Sequence, residues 1–97
     1  MLVALYVLDL RIPGSASLKE KRHVLRSLTS GLRSKFNVSV AEVGHHDLWQ
    51  RSQIAVSAVA GQGYHLRKVM HEVDRFVSRQ PGVEVIDTDL TMHGPDD

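Results

Sequence analysis

Apolar residues recur along this chain with two different periods, and the points where the period changes mark out its elements. Residues 2–12 (LVALYVLDLRI) are β-branched and apolar on both faces, too short for a helix, and end at Pro13-Gly14. They read as a strand at the centre of a sheet. Leu18, Leu25, Leu28, Leu32 and Phe36 then fall within about 80° of arc at 100° per residue, which predicts an amphipathic helix over residues 18–36, roughly 27 Å long. Ser17, with Glu20 three residues later, supplies a capping box at its start. Residues 37–43 (NVSVAEV) and 53–60 (QIAVSAVA) read as the arms of an antiparallel hairpin. They are joined by Gly44-His45-His46-Asp47, with Leu48 to Arg51 leading into the second arm. Beyond Gly61-Gln62-Gly63, a second helical stripe runs through Leu66, Val69, Met70, Val73, Phe76 and Val77 and stops at Pro81-Gly82. Residues 83–92 form the last strand, and residues 93–97 a loose tail.

The order β-α-β-β-α-β over residues 1–92 is that of a single α+β domain. With right-handed crossovers it gives a ferredoxin-like sandwich, a four-stranded antiparallel sheet with both helices on one face. The other face has no helix to cover it. Val3, Leu5 and Val7 alternate with Ala4, Tyr6 and Leu8, so the open face is expected to be apolar near its centre. A homodimer through that face is the expectation; the alternative is an apolar patch on a monomer.

Composition adds bounds rather than function. The chain has 97 residues, 42% apolar and 24% charged, as in an ordinary globular domain. The absence of cysteine removes disulfides, thiolate metal sites and a cysteine nucleophile. The apolar N-terminal run is too short to span a membrane and no basic segment precedes it, so a cytoplasmic location without membrane association is expected.

Charge changes the picture more. The net charge is +1, yet residues 18–36 carry Lys19, Lys21, Arg22, Arg26, Arg33 and Lys35 against Glu20 alone, which is +5. Residues 83–97 carry Glu84, Asp87, Asp89, Asp96 and Asp97 with no basic residue, which is −5. Arg22, Arg33, Arg26 and Lys19 lie at about 40°, 60°, 80° and 100° from Leu18, so they form one ridge beside the apolar stripe. Four phosphate contacts from such a ridge to single-stranded nucleic acid would give a salt slope of roughly 3. The alternatives are a solvated helix face and an internal partner for the acidic last strand.

Other candidate chemistry is weaker. The segment Pro13 to Ser17 lacks a phosphate-loop pattern, and Ser17 and Glu20 use the donors that an anion would need. Six histidines include no pair with ligand spacing, so no metal and no cofactor are expected. No nucleophile elbow or triad motif is present, and a pairing of His46 with Asp47 is the best remaining catalytic candidate. The third strand has no aromatic residue for base stacking as in RNA-recognition motifs, and the glycine pattern of acylphosphatases is missing. Asp47-Leu48-Trp49-Gln50-Arg51 holds the sole tryptophan. Trp49 and Gln50 can contact a partner with Arg51 adding to the basic surface, or Trp49 can fill core volume while Arg51 pairs with Asp47 or Glu42.

The strings SLKEKR (17–22), SLTSGLRSKFNVSVAEV (27–43) and DLWQRSQIAVSAVA (47–60) resemble the YlxP-like family of small bacterial proteins, a domain of unknown function. The matching positions are Leu18, Lys19, Glu20, Lys21, Arg22, Phe36, Asn37, Val38, Glu42, Asp47, Trp49, Gln50 and Arg51. The resemblance implies a ferredoxin-like fold and, through the neighbourhood in which such proteins are encoded, a link to RNA or the ribosome. Gly61-Gln62-Gly63 departs from the acidic cap that the family usually shows before the second helix. The expectation is therefore a non-enzymatic binding module that contacts RNA or a ribosomal partner through Lys19, Lys21, Arg22, Arg26, Arg33 and Arg51. A small-molecule regulatory domain using the Pro13–Ser17 loop, or a structural dimerisation module, is the rival.

Overall fold

The computed structural model describes residues 1–95. It contains β1 (Leu2–Arg11), α1 (Leu18–Lys35), β2 (Ser39–Gly44), β3 (Arg51–Ala60), α2 (Gly63–Ser78) and β4 (Glu84–His93). The sheet is antiparallel in the order β2-β3-β1-β4, so β1 is central and β2 and β4 are its edges. The chain has a ferredoxin-like fold. Even-numbered residues of β1 and β3 face the helices: Leu8, Leu10, Ile54 and Val56 are fully buried there with Leu28, Leu32, Leu66, Met70, Val73 and Val77. The two periods read from the sequence meet in this core.

The first helix begins at Leu18 as predicted. The Glu20 N–H donates to Ser17 Oγ at 3.1 Å, and the Glu20 carboxylate accepts from the Ala16 N–H, one residue earlier than in the usual reciprocal box. Its last residue is Lys35, and Phe36 has turned to extended backbone while its N–H still reaches Leu32 O. Phe36 meets Phe76 of α2 edge to face at 6.1 Å, and a Cβ on Gly31 would stand 2.6 Å from that Phe76 ring. Gly31 is therefore where the two helices approach closely. The second helix starts inside the glycine break, at Gly63, with no side-chain cap from Gln62. Every strand shifts at one or both ends by one or two residues from its expected bounds: β1 ends at Arg11, β2 runs over Ser39–Gly44, β3 begins at Arg51 and β4 runs over Glu84–His93. His93 therefore belongs to a strand rather than to the expected loose tail, of which Asp96 and Asp97 lie outside the described residues.

One charged residue belongs to the interior. Lys21 is 1% exposed, and its ammonium meets Glu42 Oε2 of β2 at 3.0 Å and the His45 carbonyl at 2.6 Å. The Ser52 hydroxyl, itself buried on β3, donates to the same Glu42 oxygen at 2.6 Å. Burial pushes the Glu42 carboxyl upward, but the Ser52 hydrogen bond and the Lys21 cation outweigh it and hold the group below its ordinary range.

Deleting one member of a buried ion pair leaves the other desolvated and unmatched. Lys21→Ala is expected to lower stability by about 3–5 kcal/mol, read from the urea midpoint, with Lys21→Met losing less because its apolar stem fills the same space. The lowered Glu42 group also sets a sign for pH. Its stabilisation is complete above the unfolded carboxyl pKa of about 4.3 and is lost as pH falls through the lower folded value. Glu42→Gln should be less stable than the parent at neutral pH and lose less on acidification; parallel stability–pH curves would refute this assignment.

Candidate functional site

The cations expected to contact a ligand divide among three environments. Lys19, Arg22 and Arg26 are exposed on α1 and, among the described residues, form no ion pair. Arg22, Arg26 and Arg33 line a groove of about 550 Å³ between α1 and the edge strand β2, with Leu25 and Thr29 at its floor. Arg33 is exposed but already committed in part, donating to the Val40 carbonyl of β2 at 2.7 Å. Lys19 faces the other flank of the helix, in a cavity of about 700 Å³ that also includes Ser17, Glu20 and His23.

Lys21 does not belong to this surface, which corrects its expected role. On the helical wheel it lies at about −60° from Leu18, inside the arc that Leu28, Leu32 and Leu25 span at about −80°, −40° and −20°. That position was the available signal of burial. Arg51 is also separated from the ridge. It lies on β3 on the helix-free face, its guanidinium 3.9 Å from Asp9 Oδ1 and not paired with Asp47 or Glu42. At 3.9 Å this is an ion pair without a hydrogen bond, and both Asp9 Oδ1 and Arg51 Nε are buried with no hydrogen-bond partner among the described residues. His45 Nε2 approaches the same Asp9 oxygen at 3.5 Å. No sequence signal joins Asp9, His45 and Arg51, because only the register of β1 against β3 and the left-handed backbone of His45 (φ 59°) bring them together.

The loop between β2 and β3 is tied down on two sides. Lys21 Nζ holds the His45 carbonyl, and the Gln50 amide donates to Ser15 O at 3.0 Å and to Pro13 O at 3.3 Å. The Ile12 N–H donates to Gln50 O at 2.9 Å and the Leu48 N–H to His45 O at 3.1 Å. Gln50 thus ties the loop to the segment that precedes α1. Trp49 does not fill the core: it is 54% exposed, next to the exposed Leu48, and with Asp47 and Arg51 it lines a shallow cavity of about 360 Å³. Two large apolar side chains are thus held in water on a well-anchored loop.

The acidic strand does not cover the basic ridge. β4 forms the opposite edge of the sheet from β2, and its register places Asp87 beside Asp9 and Asp89 beside Val7 on the helix-free face. Glu84 meets Arg11 at 3.4 Å there. That face is open and apolar near its middle as expected, with Leu5 40% and Val59 65% exposed around Val3, Val7 and Ala55.

The catalytic pairing of His46 with Asp47 is not formed: His46 turns toward Glu42, 3.9 Å from its carboxylate. At the Pro13–Ser17 loop, Ser17 and Glu20 occupy helix N-terminal donors, and the Glu20 carboxylate faces the adjacent cavity. Among the described residues no group of three or more histidine, aspartate or glutamate side chains is placed to hold a metal, and no helix is long and apolar enough to cross a membrane.

Comparison with known proteins agrees with this fold. It superposes on the de novo designed protein Foldit4 with a TM-score of 0.54 at 6% identity, covering 97% of this chain and 98% of that one. SnoaB, a cofactor-independent oxygenase from Streptomyces nogalater, gives the same TM-score and identity over 98% of this chain and 94% of its own. At such identities the likeness is one of fold alone. In sequence, the "Uncharacterized protein YlxP" of Bacillus subtilis (strain 168) is 37% identical over 70 residues, 72% of this chain and 76% of that protein. The family model described as "Protein of unknown function (DUF503)" matches residues 3–90. The resemblance read from SLKEKR and DLWQR therefore holds over most of the sequence, and the chain belongs to the DUF503 family.

Proposed function

We propose that this protein is a non-enzymatic RNA-binding module whose contact surface is the groove between α1 and β2. The observation that carries the reading is that Arg22 and Arg26 project from one helix flank and form no ion pair among the described residues: Glu42, which also lines the groove, is engaged by Lys21, and the acidic strand lies at the far edge of the sheet. Cations left unpaired along one groove are the electrostatic footprint of a polyanion site. Arg33 extends the row by two turns, and its hold on Val40 O fixes its position at the groove's end. Lys19, on the neighbouring flank, adds charge within reach of the same strand of phosphates. The asymmetry also orients an approaching polyanion, since β4 repels it and α1 attracts it.

A second, independent reading concerns self-association. Leu5 and Val59 expose large apolar area on a face that carries no helix, and a second copy meeting it face to face would remove that area from water.

Three contacts, from Arg22, Arg26 and Arg33, predict that the logarithm of affinity for single-stranded RNA falls against that of salt with a slope of about 2. Arg22→Glu with Arg26→Glu should abolish binding in filter or anisotropy assays and leave the circular dichroism unchanged; unaltered affinity would sink the proposal. For self-association, light scattering after size exclusion should give twice the chain mass for the parent and a single chain for Leu5→Lys. A monomeric parent at high concentration removes the dimer reading.

A further inference from the structure

The 47–51 tip adds something that the groove does not supply. A phosphate-contacting groove is indifferent to whether bases are paired, whereas an exposed aromatic ring is not. Trp49 is 54% exposed, and its shallow cavity is lined also by Asp47, Leu48, Gln50 and Arg51. A flat, apolar surface with an acceptor and a donor at its rim matches a single nucleobase, whose faces are apolar and whose edges carry both kinds of group. Arg51 can serve it, because its guanidinium is part-exposed and its pairing with Asp9 stops at 3.9 Å, beyond hydrogen-bond distance.

The loop that carries the tip is also fastened to the helix that lines the groove. Lys21, next to Arg22 in sequence, grips the His45 and His46 carbonyls at 2.6 and 3.4 Å, so the loop is pinned beside the N-terminal half of α1. His46 stands between the loop and the groove residue Glu42, with its Nε2 3.3 Å from Glu42 O. The anchoring by Lys21 and Gln50 matters energetically, since a platform already ordered loses little entropy when a base settles on it.

We infer that Trp49 is a stacking platform for an unpaired nucleobase at the end of the basic groove, so that the module prefers RNA with unpaired or extruded bases to continuous duplex. The inference rests on the RNA-binding reading of the groove and extends it to a ligand class. It assigns Trp49 the base, Arg51 and Asp47 the base edges, and Arg22 the adjacent phosphate.

The chain has one tryptophan, so its fluorescence reports this site alone. The experiment titrates the full chain with a labelled single-stranded oligoribonucleotide and with a fully paired duplex of the same length, following label anisotropy and Trp49 emission together. Saturable quenching by the single strand and none by the duplex is expected. Trp49→Ala should weaken single-strand binding about ten- to hundredfold, with Trp49→Phe retaining most of it and duplex binding unchanged in both. An anisotropy rise without quenching, or single-strand affinity unaltered in Trp49→Ala, overturns the platform and leaves the groove reading standing. No anisotropy change with either RNA overturns both. Trp49 emission that shifts with protein concentration alone, and is insensitive to RNA, makes the tip a protein contact and also overturns the inference.

Discussion

A buried ammonium cannot be left without acceptors, and the layout of one end of this domain follows from meeting that need at Lys21. Taking the charge out of water costs several kcal/mol unless a carboxylate and carbonyls replace the lost hydration. Those acceptors come from Glu42 on the edge strand and from the backbone of the following loop. The sheet edge, the hairpin and the first helix are therefore fixed to one another through a single side chain. Ser52 completes the arrangement from the neighbouring strand. The loop is held through the His45 and His46 carbonyls and the Gln50 amide, and Leu48 and Trp49 are left facing solvent.

The domain also separates its charges in space. The cations of α1 stand beside one sheet edge and the carboxylates of β4 along the other, with the apolar middle of the open face between them. The near-zero net charge conceals a strong field across the molecule. Such a field acts on approach and orientation more than on stability, since exposed charges contribute little to folding.

Much of this was legible in the sequence and some was not, for physical reasons. The strands and helices could be read because their apolar periods are strong and their ends carry Ser17, Pro13-Gly14 and Pro81-Gly82. The apolar centre of the open face followed from alternation in β1 alone. Lys21 could not be distinguished from its basic neighbours by composition, since its partner Glu42 is distant in sequence and the carbonyls it holds carry no side-chain signature; only its angle on the helical wheel separated it. Trp49 ran against the tendency of a lone tryptophan to fill the core. The core here is closed by leucine, valine and isoleucine, and the loop is anchored through Gln50 instead. Arg51 was grouped with the ridge on charge, whereas strand alternation sends it to the opposite face.

The two sheet edges differ in what they present to another chain. The β2 edge is six residues long, and the Arg33 guanidinium already occupies its Val40 carbonyl, which leaves little continuous backbone for a foreign strand. The β4 edge is ten residues long and unpaired on its outer side, the more hazardous of the two for uncontrolled strand addition. Glu84, Asp87 and Asp89 lie along it, so two copies meeting edge to edge would bring carboxylates against carboxylates. The acidity of the last strand thus acts as a guard against polymerisation, a task independent of any ligand the domain binds.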